Sequence, residues 1–431
     1  MLAADAATRA GDDYNAVFTQ SFHAKHHKVD PMSASESTTD VIVIGGGPAG
    51  ATAATLLARA GRSVMVVDKA VFPRDKCCGD GLTTLALREL DALGFEPSMV
   101  PSWQTVQQAW LRSPSGREVC LPMPSDGIFG ATAPRRELDD AMLRMARDAG
   151  ADVREGCAVT DVTQSDTGVE VAVDGIGSVR AKFAIAADGM WSPTRKALGL
   201  AEPGYLGEWH AFRQYATGVT GPAAQRLYVW FEPDFLPGYA WSFPLPDGRV
   251  NLGFGVLRDG QRTGKSMNAE WASLLERPHI RAALGPDAQL HDRVAAWPIP
   301  AGIDRATLSA GRVLFVGDAA RATDVMTGEG IGQAIVTGRL AAEAILATSA
   351  VTSTYEKEVR AHLLTDHRMS KLLNSWLAHV WVARGAVRVV GTSKWTREKF
   401  ARWMFEDEPR AILFTPRRWH RQLLKRPGPF K

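Results

Sequence analysis

The chain has 431 residues, 45% of them hydrophobic and 23% charged, with a formal net charge of +3 and a sequence pI near 8.6. That length and apolar content suit two domains or one large domain with an inserted layer, and exclude a disordered or fibrous chain. So small a charge makes no case for nucleic acid. The four cysteines (77, 78, 120 and 157) lack the density and spacing of a secreted disulfide framework, so a reducing, cytoplasmic setting is expected. No apolar run reaches the roughly 18 residues that cross a bilayer, and no apolar stretch followed by a cleavage site stands at the start of the sequence, so no secretory signal is expected.

Residues 1–38 are rich in Ala, Ser, Thr, His and Asp without apolar period and read as a disordered lead-in, with Met32 a candidate start; His23, His26 and His27 read as solvated rather than metal-binding, and no metal is expected. Order is expected from Asp40. "DVIVIGGGPAGATAATLLARAGRSVMVVDKA" reads as a strand, a glycine turn, a helix and a second strand ending at Asp68. Gly45, Gly47 and Gly50 satisfy GxGxxG around Pro48 and Ala49: a tight turn, close approach of backbone to a pyrophosphate, and close packing of helix on strand. The helix N-terminus turns its positive end to the phosphates, and Asp68, followed by Lys69, is placed to accept from a ribose diol.

A second phosphate-type loop lies near the other end. "GRVLFVGDAARATDVMTGEGIGQAIVTGRLAAEAI" reads as a strand, a loop opening with Gly317-Asp318, and a glycine-rich entry to a long helix beginning near Gly328. Two such loops with one cofactor suggest FAD. Asp318 is expected at its ribityl or pyrophosphate end, and the backbone N–H groups of Gly328, Gly330 and Ile331 at the pyrimidine edge of the ring.

With "FPRDKCCGDGL", "ADGMWSPTRKALG" and "YAWSFPLPDGRVNLGFG", these blocks, in this order, resemble the geranylgeranyl reductase family of FAD enzymes that share the para-hydroxybenzoate hydroxylase fold, over roughly residues 40–345. The resemblance implies saturation of C=C bonds in an isoprenoid chain. It implies that Arg135 reaches the FAD, with Arg136 as a substitute, ahead of a helix starting near Glu137. It also implies that Asp188 and Gly189 close over the cofactor from a strand end, and that Cys78 and Gly79 border the flavin ring. Cys77 stands where the family has proline, Leu245 where it often has lysine, and Val325 where it has proline.

Reduction of an unactivated alkene needs hydride at one carbon and a proton at the other, and Cys78, just before a helical stretch expected near Leu82, is the candidate proton donor or substrate holder. A vicinal disulfide and inert small residues are the other readings of the pair. Tyr239, Trp241 and Phe243 alternate along a strand before a Pro246-Asp247-Gly248 turn, so the three rings share one face, a wall ~13 Å long that suits a flavin or a greasy chain, or else core packing. From Arg384 to Lys431 thirteen Lys or Arg face four acids, interleaved with Trp395, Trp403 and Trp419 and preceded by Trp376 and Trp381. That mixture suits a peripheral site on the inner face of a membrane or a helical cap with a solvated basic face; no RNA-binding module is recognised.

The expected fold is α/β (α+β). A discontinuous three-layer Rossmann-like FAD domain (39–100, 131–200, 305–350) carries an antiparallel-sheet substrate domain (101–130, 201–304) and a C-terminal helical extension (351–431). The expected function is FAD-dependent reduction of an isoprenoid C=C. The alternatives are a monooxygenase or halogenase of the same fold using O₂ and NAD(P)H, and a non-catalytic prenyl-lipid-binding flavoprotein. NAD(P)H or a reduced electron-transfer protein is the expected transient donor, because a second dinucleotide fingerprint is absent. The oligomeric state is not legible.

Overall fold

The computed structural model describes residues 37–258, 260, 262–347, 349–412, 415–416, 419, 423 and 425–431; the expected lead-in and its histidines thus lie almost wholly outside the described residues. The first unit is β1 (Ser37–Ile44), α1 (Pro48–Arg59) and β2 (Val64–Asp68). β1 begins before Asp40 because Ser37 and Thr38 already pair with Val179 and Arg180. α1 opens on Pro48, whose fixed φ and missing N–H suit a first helical position.

The chain then forms β3 (Gly81–Leu82), α2 (Thr84–Leu93), β4 (Gln104–Thr105), the hairpin β5 (Gln108–Arg112) and β6 (Glu118–Pro122), and β7 (Ala131–Thr132). The helix expected near Leu82 therefore starts two residues later, because Gly81 and Leu82 pair with Thr132 and Ala131 instead. The next stretch comprises α3 (Arg135–Asp148), β8 (Asp152–Glu155), β9 (Val159–Gln164), β10 (Val169–Val173), β11 (Gly177–Ala186) and α4 (Pro193–Ala197). β12 (Trp209–Thr217), β13 (Leu227–Trp230), β14 (Tyr239–Pro244) and β15 (Val250–Leu257) follow, then α5 (Gly264–Leu275), α6 (Pro278–Leu284), β16 (Gln289–Ile299), β17 (Ser309–Ala310) and β18 (Val313–Phe315). The chain closes with α7 (Ile331–Ala347), α8 (Val351–Val359), α9 (Thr365–Leu377), α10 (Val380–Val390) and α11 (Lys394–Met404).

Two sheets organise these elements. The first runs β17-β18-β11-β1-β2-β8, parallel from β18 to β8, with β9 and β10 extending from β11. Its central strand β1 is buried from Val41 to Ile44 and reads as a continuous apolar run, as a strand covered on both faces must. The second, β16-β12-β15-β14-β13-β5-β6, is antiparallel except where β13 meets β5. β5 and β6, far from the rest in sequence, extend that sheet's edge. A small sheet, β3-β7-β4, bridges the two.

α8 is tied to the first sheet by Tyr355, whose fully buried hydroxyl donates to the Phe315 carbonyl at the end of β18. Tyr355→Phe leaves that carbonyl unpaired in an apolar core, and should lower unfolding free energy by about 1 kcal/mol, read as a lower urea midpoint at unchanged slope.

Candidate active site

One cavity of about 1040 Å³ lies between the two sheets and continues among the C-terminal helices. Its floor is the glycine turn after β1. Gly45 sits at φ +106°, and a Cβ there would come within 2.3 Å of the Ala187 carbonyl oxygen; one at Gly50 would come within 1.9 Å of the Gly45 oxygen. Only glycine permits that approach of helix, turn and neighbouring strand. Gly45, Gly47, Pro48 and Ala49 all line the cavity.

Asp68 is oriented by its own loops: Oδ2 accepts from Gly46 N at 2.7 Å and Oδ1 from Ala70 N at 2.8 Å, so each oxygen keeps a lone pair for a diol at the cavity wall. Lys69 stands at the exposed rim beside it. From the other side come Gly317, at φ +56°, and Asp318, which pairs with Lys76 at 2.9 Å. Asp188 and Gly189 follow β11; Asp188 Oδ2 accepts from Thr194 N at 3.0 Å, while its Oδ1 is buried without a partner. A glycine cradle against a helix N-terminus, an oriented carboxylate and an orphaned buried acceptor fit a dinucleotide such as FAD.

Arg135 and Arg136 part company. Arg136 is exposed, whereas Arg135 is the first residue of α3 and lines the cavity, its guanidinium bidentate to Asp139 at 2.6 Å for both bonds. The entry to α7 also differs from expectation. The long helix begins at Ile331 rather than near Gly328, and the Ile331 and Gly332 N–H groups donate to Glu329 Oε1 at 2.9 and 3.3 Å, while Gly328 N–H donates to the Asp324 carbonyl. A side chain of the motif thus caps the helix end that was expected to face a ring directly; Gly328, Gly330 and Ile331 still line the cavity.

Tyr239, Trp241 and Phe243 form a chain of rings with centroids 6.0 and 6.2 Å apart along β14, and all three line the cavity. The Cys-Gly-Asp-Gly loop, residues 78–81, packs directly on them, for a Cβ at Gly81 would meet the Phe243 ring at 2.9 Å. Cys78 lines the cavity here. Burial pushes its thiol up to about 11, outweighing Arg135, so the short turn before α2 does not yield a thiolate. Cys77 is pushed up to about 12 for the same reason, and all four cysteines are free.

The loop is held by Asp80, which sequence reasoning did not single out. Asp80 is fully buried in the left-handed region (φ 61°); its Oδ2 accepts from Tyr215 Oη at 2.6 Å and Asn251 Nδ2 at 2.7 Å, and its Oδ1 from Arg135 N at 3.1 Å. Asn251 Nδ2 also donates to the Cys78 carbonyl at 2.8 Å, and Trp241 Nε1 donates to Asn251 Oδ1 at 3.0 Å. An acid between two glycines was the available signal.

Comparison with known proteins places this geometry. Residues 38–363 match the FAD binding domain family. The chain is 36% identical over 326 residues to a menaquinone reductase of Mycolicibacterium smegmatis, covering 70% of this chain and 75% of that one. It is 31% identical over 311 residues to digeranylgeranylglycerophospholipid reductase 2 of Methanopyrus kandleri, covering 70% and 76%. In fold it is similar to a geranylgeranyl bacteriochlorophyll reductase-like protein of Thermoplasma acidophilum, with a TM-score of 0.73 at 23% identity over 89% of this chain and 99% of that one. The chain belongs to the geranylgeranyl reductase family. It is an FAD-dependent oxidoreductase of the para-hydroxybenzoate hydroxylase fold.

In this reductase the Asp80 cluster joins loop, sheet and helix. Asp80→Ala strands the Tyr215 hydroxyl and one Asn251 donor and puts a Cβ residue without a hydrogen-bonding side chain at positive φ. It should cost about 3 kcal/mol of stability and expose Cys78 to alkylation at pH 8, with Asp80→Asn intermediate on both readouts.

Proposed function

We propose that this protein saturates C=C bonds of an isoprenoid chain: that of a prenyl lipid, of menaquinone or of a geranylgeranyl group. The observation that carries the reading is the continuity of the cavity. From the glycine cradle it passes Cys78 and the β14 rings, then runs between α9, α10 and α11 along Leu373, Leu377, Ala383, Val387, Phe400 and Trp403. A long apolar passage of this kind suits a polyprenyl chain far better than a small polar acid, and the names of the relatives are those of reductases of prenyl compounds.

Gly45, Gly47, Pro48 and Ala49 with Asp68 and Lys69 would hold the adenosine and pyrophosphate of FAD, with Gly50 packing α1 against the turn; Gly317, Asp318, Asp188, Gly189, Arg135, Gly79 and the α7 entry would hold the flavin end. Bound and reduced, that cofactor supplies two electrons and one hydrogen to one alkene carbon; NAD(P)H or a reduced electron-transfer protein serves as donor. The chain's own part is to keep water out and to bring a proton to the other carbon. Tyr239, Trp241 and Phe243 hold the alkene against the loop. Cys78, kept as S–H at neutral pH, is the proton donor.

Photoreduced enzyme mixed without O₂ with a geranylgeranyl lipid should be reoxidised, with two hydrogens gained by the lipid. Reoxidation by O₂ alone would favour the monooxygenase reading, and binding without reoxidation the carrier reading. Cys78→Ser should slow this reoxidation by ~10²-fold while leaving FAD binding intact; an unchanged rate removes Cys78 from the chemistry.

The passage reaches an exposed aromatic surface. Among the described residues no helix is long and apolar enough to cross a membrane. Trp376, which lines the cavity, is 54% exposed, Trp381 is 74% exposed, and Leu372, Val380 and Val389 lie exposed near them. Between Asp366 and Glu398 the chain has six Lys or Arg and no carboxylate. This face is proposed to sit on the anionic inner face of the cell membrane, where it receives substrate. Of the other C-terminal aromatics, Trp395 and Trp419 are exposed, Phe400, Trp403 and Phe405 line the cavity, and Phe414 lies outside the described residues. Replacing Arg384 and Arg388 together by Gln should weaken sedimentation with anionic vesicles roughly 30-fold at low salt, taking ~1 kcal/mol per cation, and leave binding to neutral vesicles unchanged.

A further inference from the structure

A second cavity, of about 630 Å³, lies across β12 from the first: Trp209 and Ala211 line one, and His210 between them lines the other. The same division recurs at Val325, which lines the second, and Met326, which lines the first. Four arginines and two glutamates line the second cavity, and Val256, Leu257 and Met267 give it an apolar side. None of these groups has a part in the chemistry above.

The segment from Glu202 to Glu208 forms one wall and uses up both carboxylates. Glu208 Oε2 accepts from Tyr205 Oη at 2.7 Å and from Ala301 N at 2.6 Å, and its Oε1 from Arg305 Nη2 at 3.3 Å. Glu202 Oε2 accepts from Arg321 Nη2 at 2.8 Å, and the Arg321 guanidinium lies over the Tyr205 ring, 3.6 Å from its centroid. Arg262 donates to Glu270 Oε1 at 3.2 Å and to the Asp234 carbonyl at 2.8 Å.

Arg258 is different. It is half-buried just after β15, where its backbone N–H donates to the Glu208 carbonyl at 2.8 Å and its Nε to the Leu206 carbonyl at 2.8 Å. Among the described residues no carboxylate pairs with it, whereas buried Arg135 and Arg402 each have one. With Nε committed, the two Nη groups are the open end of the guanidinium fork, two parallel N–H donors of the kind that grips a phosphate. Burial lowers the Arg258 pKa, yet an arginine stays charged at neutral pH, so this wall holds a cation that the chain does not neutralise. His210 nearby is pushed down to about 4, by burial first and the Arg258 charge second. It is therefore neutral and offers one N–H without adding a charge.

We propose that this second cavity binds a phosphate ester, with its oxygens on Arg258 and Arg305 and its organic part on Val256, Leu257 and Met267. The site goes beyond the isoprenoid reductase reading and does not rest on it. A soluble ester and a lipid headgroup present the same oxygens, and the probes below tell them apart.

At low salt, FAD-loaded protein should bind inorganic pyrophosphate or phosphatidic acid vesicles, read by calorimetry and by sedimentation. Arg258→Gln should weaken that binding by ~10-fold or more while the variant keeps the parent's FAD content. Arg305→Gln, at an exposed position that should fold whatever becomes of Arg258, should weaken it by ~3-fold. Arg293→Gln, on the exposed part of β16 and outside this cavity, should leave it unchanged. An effect of Arg258→Gln on pyrophosphate alone makes the occupant a soluble ester; an effect on the vesicles makes it a lipid headgroup. Failure of both probes to bind, or binding that Arg258→Gln and Arg305→Gln leave unchanged, overturns the proposal. No arm uses alkene reduction, so a protein that reduces no prenyl alkene overturns the isoprenoid reading and leaves this test standing.

Discussion

The structure turns on one buried carboxylate. Asp80 accepts hydrogen bonds from β12 through Tyr215, from β15 through Asn251 and from the first residue of α3, and so fixes the loop that carries Cys78 against the second sheet and α3 at once. Its burial raises its pKa, and the three donors offset that cost, which is why they converge so closely. Without that knot the Cys-Gly-Asp-Gly loop would be a flexible connection between β2 and α2. With it, the loop is a rigid floor for the β14 rings.

Everything else around the cavity is arranged by close backbone approach or by aromatic surface. Glycines 45 and 50 bring β1, α1 and the end of β11 together where a phosphate needs bare N–H groups. Gly79 and Gly81 do the same for Trp241 and Phe243, so that a loop and a strand touch with nothing between them. Several polar side chains of the cavity wall are tethered: Asp68 by Gly46 and Ala70, Arg135 by Asp139, Glu329 by Ile331 and Gly332. Such tethering keeps charged groups in fixed positions inside an apolar chamber, where an unanchored charge would be expensive.

The C-terminal helices complete the chamber as well as present a basic surface. α10 and α11 contribute Ala383, Val387, Phe400 and Trp403 to its wall, while Trp381, Arg384 and Arg388 on α10 face outward. These helices thus pack an apolar face inward and leave a basic face outside. The amphipathic period of a helix makes that division unavoidable once one face is packed.

Local pattern was enough for the elements that depend on neighbours in the chain. GxGxxG, the strand before it and the acid after it define a βαβ unit with a cofactor fit, since each piece is set by short-range backbone geometry. The alternation at Tyr239, Trp241 and Phe243 determined that the rings share a face, because strand geometry has a period of two. What lay beyond the chain's own order was decided by tertiary structure: that Arg135 rather than Arg136 turns inward, that Glu329 caps α7, that burial keeps Cys78 a thiol, and that Asp80 meets partners 135 and 171 residues away. Charge state and hydrogen-bond partnership depend on solvent exclusion and on groups distant in sequence, and no local pattern encodes either.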